Sequence, residues 1–374
     1  LVGYLAYDLG RLLERMPSVA ADDQGLPLLR LGLHDWVVCW DRRNGTAWLA
    51  GRAVDGDVPG LDRRLREVRR RIDARMGERS SVGAREGDES VIRFTSNVDR
   101  EQHADRVQAI QATIAAGEIY QANLARRLEA PWTLDPWPLY RRLRIGDPAT
   151  HAAYLDLGSS GGSGPTRALL SASPEPFLRT APDGCVATDP IKGTRPRGRT
   201  HAEDRALLRE LLCSAKDRAE NVMIVDVMRN DLGRVCRPGS VRVPRLCRPE
   251  RTAAVQHLVS TVTGRLREGA DPFDLLGAAF PGGSITGAPK LRAIEILEGL
   301  EPVRRGPYTG AIGWIGPDGA MATSIAIRTF VADGRRLTFH VGGGITWRSD
   351  PTAEWDETVV KARGPLTAIG GTAS

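Results

Sequence analysis

The segment Pro190-Ile191-Lys192-Gly193-Thr194-Arg195-Pro196-Arg197-Gly198 limits the folds open to this chain. Its two prolines and two glycines exclude a helix and a central strand, because proline lacks a backbone donor and glycine weakens regular structure. We therefore predict a loop of defined shape. Within it Lys192 is unusual, since the sequence has 52 basic residues but only four lysines, at positions 192, 216, 290 and 361.

The use of lysine rather than arginine at this position has a chemical interpretation. An amine can lose its proton and attack carbon, whereas a guanidinium stays protonated. Lys192 is therefore a candidate nucleophile. The alternative is an anion-binding loop in which Lys192 is one more positive charge.

Composition limits the class of protein. The 374 residues suffice for one large or two medium domains. No run approaches the roughly 20 apolar residues of a membrane span, and the first residues do not resemble a signal peptide. The five cysteines are odd in number and show no C-x-x-C spacing, which indicates free thiols in a reducing cytoplasm. Because the chain does not begin with Met, we expect it to be part of a longer product.

The net charge of +6 and the pI near 9.3 raise the question of nucleic-acid binding. The arginines are dispersed apart from residues 63–71, and few aromatic residues lie between them. We therefore expect anionic small ligands and no nucleic-acid partner. The basic run at 63–71 is interpreted as the solvated face of a helix.

Two portions are predicted, residues 1–92 and residues 93–370. The first is β-rich, is expected to be incomplete at its start, and ends in a polar linker at 78–90. The elements expected in it are strands over 2–7, 35–40 and 46–52 and a helix over 61–76.

The second portion is predicted to mix helices and strands. Asp99 and Gln102 indicate a capping box, and Asp350-Pro351 indicates the start of a last helix. The other helices are expected over 100–116, 136–144, 202–213 and 215–233 and directly after 290. Strands are expected over 119–128, 307–315, 321–331 and 336–345.

Two side chains have both a structural and a catalytic interpretation. Glu175 stands between two prolines among apolar neighbours, where burial would raise its pKa and make it a general acid. Otherwise it is a solvated loop glutamate. His257 precedes a Ser/Thr/Val run and is either a satisfied core histidine or a catalytic group.

Four carboxylates lie at two predicted helix starts. Asp217 and Glu220 are three residues apart, as are Glu354 and Glu357, so each pair shares a helix face. Taken singly, such acids complement the helix dipole. Together they would repel unless a cation neutralised them, and Mg²⁺ binds through one or two carboxylates plus waters and substrate oxygens. We therefore predict a Mg²⁺ site.

Three further features suit an anionic ligand. The glycine-rich segment 280–290 leads into a helix and offers backbone N–H groups. Arg328 is expected on a strand face, where a guanidinium can bind a carboxylate with two hydrogen bonds. Gly342-Gly343-Gly344 lets the backbone approach a ligand closely.

These motifs occur together in one order, and in them the chain resembles the chorismate-utilising enzymes of the anthranilate synthase and aminodeoxychorismate synthase type. The resemblance is strongest over residues 95–365. It implies an α+β fold in which two large antiparallel β-sheets form a sandwich flanked by helices, with the active site between the sheets. The segments that carry it are 190–198, 216–233, 280–290, 308–313, 325–329, 342–345 and 350–363.

Within this family the residue at the Lys192 position separates two activities. Anthranilate synthases have Ala there, and aminodeoxychorismate synthases have Lys. The resemblance therefore implies conversion of chorismate and ammonia to 4-amino-4-deoxychorismate, the precursor of 4-aminobenzoate and folate. It also implies that a glutamine amidotransferase, as a subunit or a fused domain, supplies the ammonia. The alternative is an anthranilate synthase with an atypical loop, or another chorismate-converting enzyme.

The resemblance implies a role for each matching residue. Lys192 would attack ring carbon 2, Glu175 would protonate the leaving C4 hydroxyl, and His257 would lie near that group. The implied Mg²⁺ ligands are Glu220 and Glu357, with Asp217 and Glu354 near them. The implied substrate-binding residues are Gly193, Thr194, Thr286, Tyr308, Arg328, Gly343, Gly344 and Lys361.

Two segments depart from the family pattern. The family's Asn-Pro-x-Pro-Tyr segment appears here as residues 146–151, Gly-Asp-Pro-Ala-Thr-His, which puts tryptophan binding in doubt. Residues 158–164 are a glycine- and serine-rich insertion, interpreted as a flexible surface segment.

Overall fold

The computed structural model of the chain describes residues 1–77, 91–159, 164–252 and 255–373. The predicted linker at 78–90 and most of the insertion at 158–164 therefore lie outside the described residues. The strands are β1 (Val2–Leu5), β2 (Leu29–Gly32), β3 (Trp36–Asp41), β4 (Thr46–Gly51), β5 (Ile92–Ser96), β6 (Gln121–Pro131), β7 (His151–Ser159), β8 (Thr166–Ser173), β9 (Pro176–Thr180), β10 (Cys185–Thr188), β11 (Ile191–Pro196), β12 (Arg242–Arg251), β13 (Val255–Arg265), β14 (Gly287–Ala288), β15 (Ala311–Ile315), β16 (Met321–Ile325), β17 (Thr329–Ala332), β18 (Arg336–Ile345) and β19 (Gly371–Ala373).

The helices alternate with these strands along the chain. They are α1 (Gly10–Leu13), α2 (Val58–Gly77), α3 (Arg100–Ala115), α4 (Trp137–Gly146), α5 (His201–Cys213), α6 (Ala215–Gly233), α7 (Pro272–Ala279), α8 (Lys290–Leu300) and α9 (Pro351–Ile369), with short 3₁₀ turns at Tyr7–Leu9 and Gly283–Ile285. Within the described ranges, no helix is both long and apolar enough to cross a membrane.

Two large sheets dominate the described chain. One has the strand order β11-β13-β10-β9-β16-β15-β1-β2, with β12 also paired to β13. The other has the order β19-β5-β6-β18-β17-β8-β7, with β14 also paired to β6. Pairing is mainly antiparallel, as between β6 and β18, while β19 runs parallel to β5. β3 and β4 form a separate hairpin.

The sheets pack together through apolar side chains. One buried cluster joins Tyr4 and Ile312 of the first sheet to Leu169 and Val331 of the second. A second cluster covers the other side of the second sheet, where side chains of α4 and α9 pack on it: Leu139, Leu143, Phe330, Phe339, Leu366 and Ile369. Removing this apolar surface from water is the main stabilising contribution. The predicted α+β sandwich flanked by helices is confirmed.

The described chain divides into two compact units. Among the described residues, one comprises 1–2 and 31–77, and the other comprises 3–30, 91–159, 164–252 and 255–373. In the first unit α2 packs on β4. The second unit contains both apolar clusters described above. The division at residue 92 that the sequence predicts stays a prediction.

Local capping explains where two helices begin. The Asp99 side chain accepts from the Gln102 backbone N–H at 2.8 Å, and the Gln102 side chain accepts from the Asp99 N–H, so the predicted capping box is confirmed. At α9, Asp350 accepts from the N–H of Ala353, and Pro351 stands at the first helical position. These contacts satisfy backbone donors that the first turn leaves free.

Two predictions about the strands are wrong. The segment 190–198 is not a loop throughout, because residues 191–196 form β11 at the end of the first sheet, where a strand tolerates proline. The single strand expected over 321–331 is two strands, β16 and β17, which belong to different sheets. Arg328 lies between them with φ +48°.

Candidate active site

Lys192 lies on β11 next to an irregularity in the strand. The pairing of β11 with β13 shifts register between Ile191 and Thr194. Between them Gly193 has φ +81°, and a Cβ atom there would lie 2.9 Å from the Cβ of Asp217. Glycine alone fits both the backbone conformation and this close approach. A bulge of this kind redirects the neighbouring side chain, which here is Lys192.

Burial has the largest influence on the Lys192 amine and lowers its pKa. The carboxylates of Glu220 and Glu175 act in the opposite direction, and the ammonium group of Lys361 lowers it again. A lowered pKa increases the fraction of neutral amine, which is the nucleophilic form.

The two arginines that follow Lys192 in the sequence, Arg195 and Arg197, form ion pairs of their own. Arg195 Nη2 lies 3.1 Å from Asp217 Oδ2, and Arg197 Nε lies 2.7 Å from Asp204 Oδ1. The cation that acts on Lys192 is therefore Lys361, which stands far away in sequence.

Glu175 is a buried carboxyl between β8 and β9, with 7% of its surface exposed. Burial raises the pKa of Glu175, against the opposing effects of the hydrogen bond from Ser284 and the charges of Lys192 and Lys361. The Ser284 hydroxyl donates to Glu175 Oε1 at 2.7 Å. A carboxyl that keeps its proton to higher pH suits a general acid.

The Ser284 contact was not predicted from the sequence. The segment 280–290 indicated a glycine-rich anion loop, and no feature of it points to a residue 109 positions away. Only the fold brings the two together.

His257 lies on β13 directly opposite Thr194. Its Nδ1 is 2.9 Å from the Thr194 hydroxyl oxygen, so the two side chains share one hydrogen bond. Burial and, secondarily, the charge of Arg328 lower the pKa of His257. The imidazole is therefore held neutral at neutral pH. Thr194, predicted as a substrate contact, is already bonded to this ring.

The surroundings of three predicted metal ligands shift their pKa values in different directions, upward for Glu220 and Glu354 and downward for Glu357. Burial raises the pKa of Glu220 on α6 and of Glu354 on α9, and Glu357 adds repulsion to both. Burial also acts to raise the pKa of Glu357, but Lys361, whose Nζ lies 2.7 Å from Glu357 Oε1, outweighs it and the pKa is lowered.

The residues present fit a Mg²⁺ ion. Glu220 Oε1 and Glu354 Oε2 are buried and have no hydrogen-bond partner, although unpaired buried carboxylate oxygens are costly. Within the described ranges, no three acidic, His or Cys side chains are already gathered around a metal position. Mg²⁺ takes one or two carboxylates and fills its remaining positions with water and substrate oxygens, so the unpaired oxygens of Glu220 and Glu354 suit it. Asp217 fits less well, because Arg195 already neutralises it.

Arg328 lies in the connection between the two sheets and not on a strand face. Its positive φ is costly for a residue with a side chain, and such strain is often kept at a functional site. Arg328 Nη1 lies 3.4 Å from Asp147 Oδ1, while the other carboxylate oxygen of Asp147 is buried without a partner. The guanidinium is thus held by one weak contact.

The other predicted substrate contacts fall into two groups. Lys361 donates to the carbonyl of Gly342 at 2.8 Å, and a Cβ atom on Gly343 would lie 3.0 Å from Glu354 Oε2, so both border the carboxylates. By contrast, the Thr286 hydroxyl is fully buried and donates to the carbonyl of Gly282.

Tyr308 is buried, whereas Gly344 is partly exposed. The Tyr308 ring stacks on His340 at 5.0 Å between ring centres, with 11° between the planes. Burial raises the pKa of Tyr308, so its phenol stays protonated. A Cβ atom on Gly344 would lie 2.2 Å from the side-chain nitrogen of Gln121, which explains the glycine by packing.

The structure therefore brings the acid Glu175, the amine of Lys192 and the carboxylates of Glu220 and Glu357 within electrostatic reach of one another. Lys192 interacts electrostatically with Glu175, Glu220 and Glu357, and with the ammonium group of Lys361. These residues come from the first sheet, from α6 and from α9. Such a site can protonate a leaving group, present a neutral amine to carbon and hold a divalent cation.

Comparison with known proteins identifies the class. The family of chorismate binding enzymes matches residues 1–367. Anthranilate synthase component 1 of Streptomyces coelicolor is 42% identical over 375 residues, which cover 98% of this chain and 72% of that protein. Aminodeoxychorismate synthase component 1 of Salmonella typhimurium is 41% identical over 361 residues, covering 96% and 74%.

A solved structure agrees with these relatives. The crystal structure of anthranilate synthase component I from Streptococcus pneumoniae superposes with a TM-score of 0.87 at 29% identity, covering 98% of this chain and 80% of that one. The chain belongs to the chorismate binding enzyme family, and it is a chorismate-utilising enzyme.

Proposed function

We propose that this chain is the chorismate-aminating component of an aminodeoxychorismate synthase, which converts chorismate and ammonia to 4-amino-4-deoxychorismate. The observation that carries the proposal is Lys192, a half-buried residue whose amine has a lowered pKa and interacts electrostatically with the buried acid Glu175. A relative named anthranilate synthase and one named aminodeoxychorismate synthase match the chain at 42% and 41% identity, so overall similarity does not separate the two activities. The amine supports the aminodeoxychorismate synthase, because it supplies a nucleophile that an alanine lacks.

The reaction proceeds in two displacements. The neutral amine of Lys192 forms a bond to ring carbon 2, the ring double bonds shift, and the C4–O bond breaks. Glu175 gives its proton to the departing oxygen, which leaves as water, and the secondary ammonium group formed at Lys192 then gives up a proton that restores Glu175 to its acid form. Ammonia then bonds to C4, the double bonds shift back, the C2–N bond breaks, and a proton passes from the new C4 ammonium group to the released Lys192 amine. Two easier steps replace a direct exchange of hydroxyl for amine.

Other side chains bind the substrate and the cation. Two of the three carboxylates of Glu220, Glu354 and Glu357 would hold Mg²⁺, which when bound would neutralise them and take substrate oxygens as its other ligands. The Arg328 guanidinium offers N–H donors and the Tyr308 phenol an O–H donor, which suit a substrate carboxylate. Neutral His257 lies near the leaving hydroxyl.

The ammonia comes from a glutamine amidotransferase, as a separate subunit or a fused domain. None of the five cysteines stands in a glycine-rich nucleophile turn, which glutamine hydrolysis of this type would require. The product would serve 4-aminobenzoate and folate synthesis.

Product analysis tests the activity. The protein is incubated with chorismate, Mg²⁺ and an ammonium salt, and the product is identified by mass. We expect 4-amino-4-deoxychorismate without release of pyruvate. Anthranilate plus pyruvate would instead make the chain an anthranilate synthase.

The nucleophile is tested by intact-protein mass spectrometry without ammonia. Wild type should gain the mass of chorismate less water on a peptide that contains Lys192. Lys192→Ala and Lys192→Arg should form no adduct, because alanine has no amine and guanidinium stays protonated. Slow residual turnover by Lys192→Ala would reflect direct attack of ammonia on bound chorismate. Failure to detect the adduct under turnover conditions, or an adduct on Lys290 or Lys361, would refute the assignment.

A further inference from the structure

Lys216 stands between carboxylates of two helices. Its Nζ lies 3.9 Å from Glu220 Oε1, on its own helix α6, and 3.9 Å from Glu354 Oε1, on α9. Both distances exceed that of a hydrogen bond, so the contacts are electrostatic only. In the part of the chain that the structure describes, Lys216 forms the only ion pair that joins α6 to α9.

The two carboxylates need a cation at this position. Glu354 is 4% exposed, and its Oε2 is buried without a hydrogen-bond partner, as is Glu220 Oε1. Glu357 adds further negative charge beside them. Like charges this close repel strongly away from water. The ammonium group of Lys216 offsets part of that repulsion without hydrogen bonding to either carboxylate.

Lys216 is also held loosely enough for its side chain to move away from Glu220 and Glu354. Its side chain is 50% exposed, near the start of α6. Lys290 provides the contrast, since its side chain is 12% exposed and its Nζ lies 2.6 Å from Asp231 and 2.9 Å from the carbonyl of Ala279. A long half-exposed lysine can swing into solvent by side-chain rotation alone.

We infer that Lys216 is the internal counter-ion of the Glu220 and Glu354 carboxylates. Its ammonium group holds the two carboxylates together in the metal-free protein, and the divalent cation displaces it. The inference rests on the proposed Mg²⁺ site. Because Lys216 and the cation compete for the same carboxylates, the lysine weakens metal binding and stabilises the metal-free protein. The metal-loaded protein then carries a free ammonium group at the edge of the site.

The test measures metal binding and metal-free stability without substrate. Mg²⁺ affinity is measured by titration calorimetry, and the melting temperature is measured in EDTA and in saturating Mg²⁺. Lys216→Met should bind Mg²⁺ about two- to fivefold more tightly, the range for a half-exposed ion pair. It should also melt about 2 °C lower in EDTA, and this difference should narrow in Mg²⁺.

Two control variants separate the counter-ion from a general effect of charge. Lys216→Arg keeps the charge and should bind Mg²⁺ no more tightly than wild type. Arg141→Met removes the same unit of charge from the exposed side of α4, which carries none of the carboxylates, and should leave both measurements unchanged.

The outcomes distinguish this inference from the proposed function. If Lys216→Met has the affinity and metal-free melting temperature of wild type, the counter-ion role is refuted while the metal site stands. If wild type and every variant bind no Mg²⁺, the metal site fails and the counter-ion role with it. Product analysis of wild type decides the activity separately.

Discussion

Burial moves the pKa values of Glu175 and Lys192 in opposite directions, upward for the carboxyl and downward for the amine. In both cases the cause is the same, because a site removed from water disfavours the charged form of each group. The proposed reaction needs both neutral forms at once, a protonated acid and an unprotonated amine. One physical effect therefore prepares the proton donor and the nucleophile together.

The role of Glu175 leads to a prediction about pH. Glu175→Gln should slow adduct formation by about 10²- to 10⁴-fold, the usual contribution of a general acid. A general acid acts only while protonated and the amine only while neutral, so the wild-type rate should decline once the pH exceeds the pKa values of both Glu175 and Lys192. Glutamine has no such proton to lose, and the alkaline decline should disappear. The measurement is the rate of adduct formation against pH, without ammonia.

Exposed Glu268→Gln is the control for this experiment and should reproduce the wild-type profile. If the alkaline decline persists unchanged in Glu175→Gln, the acid is another group.

At the scale of the element, the bulge in β11 determines how the nucleophile is presented. Gly193 combines a positive φ with close contact to Asp217 and Leu211. The same glycine therefore sets both the backbone turn and the packing of β11 on α5 and α6. Since α6 also carries Glu220, a change at the bulge affects the amine and the carboxylates together.

Comparing Gly193→Ala with Gly117→Ala should separate the effect of packing from the effect of backbone strain. Both glycines have similar positive φ, +81° and +78°, but a Cβ atom on Gly117 meets nothing within 4 Å. Each substitution should lower the free energy of unfolding by about 1 kcal/mol through the backbone alone. Only Gly193→Ala should also slow adduct formation, because its Cβ displaces α6.

Denaturant unfolding and the rate of adduct formation provide the two measurements. A Gly193→Ala protein that forms adduct at the wild-type rate would show that the bulge does not position Lys192.

At the scale of the whole molecule, the site depends on contacts between distant parts of the chain. The buried Arg305 illustrates this, because its guanidinium forms an ion pair with Glu301 and donates to the carbonyls of Ile285 and Asn123. It thereby joins the segment that carries Ser284 to β6 and α8. The proposed chemistry is complete within this chain except for the source of ammonia.

The isolated chain should therefore use ammonium and not glutamine. With chorismate and Mg²⁺, turnover should increase with ammonium concentration. At fixed total ammonium it should also increase with pH, up to the pH at which adduct formation declines, because neutral ammonia is the attacking species. Glutamine free of ammonia should support no turnover until an amidotransferase is added. Glutamine-dependent product formation by the chain alone would contradict the proposal that an amidotransferase supplies the ammonia.

Features that depend on local chemistry were predictable. The capping box at Asp99, the start of α9 after Asp350 and the limits of β18 follow from short-range hydrogen bonding and from side-chain periodicity. Lys192 could be singled out because lysine is rare in this chain and has chemistry that arginine lacks. The paired acids near the starts of α6 and α9 were also predictable from local periodicity, because residues three apart share a helix face.

Features that depend on distant partners were decided by the tertiary structure alone. Residues 321–331 read as one strand, yet β16 pairs with β9 and β17 with β8, so the chain changes sheets at Arg328. The bond from Ser284 to Glu175 and the position of Lys216 near Glu354 join residues more than a hundred positions apart. A local sequence sets which conformations each segment favours. Which strand it pairs with, and which charges burial brings together, depend on the remainder of the chain.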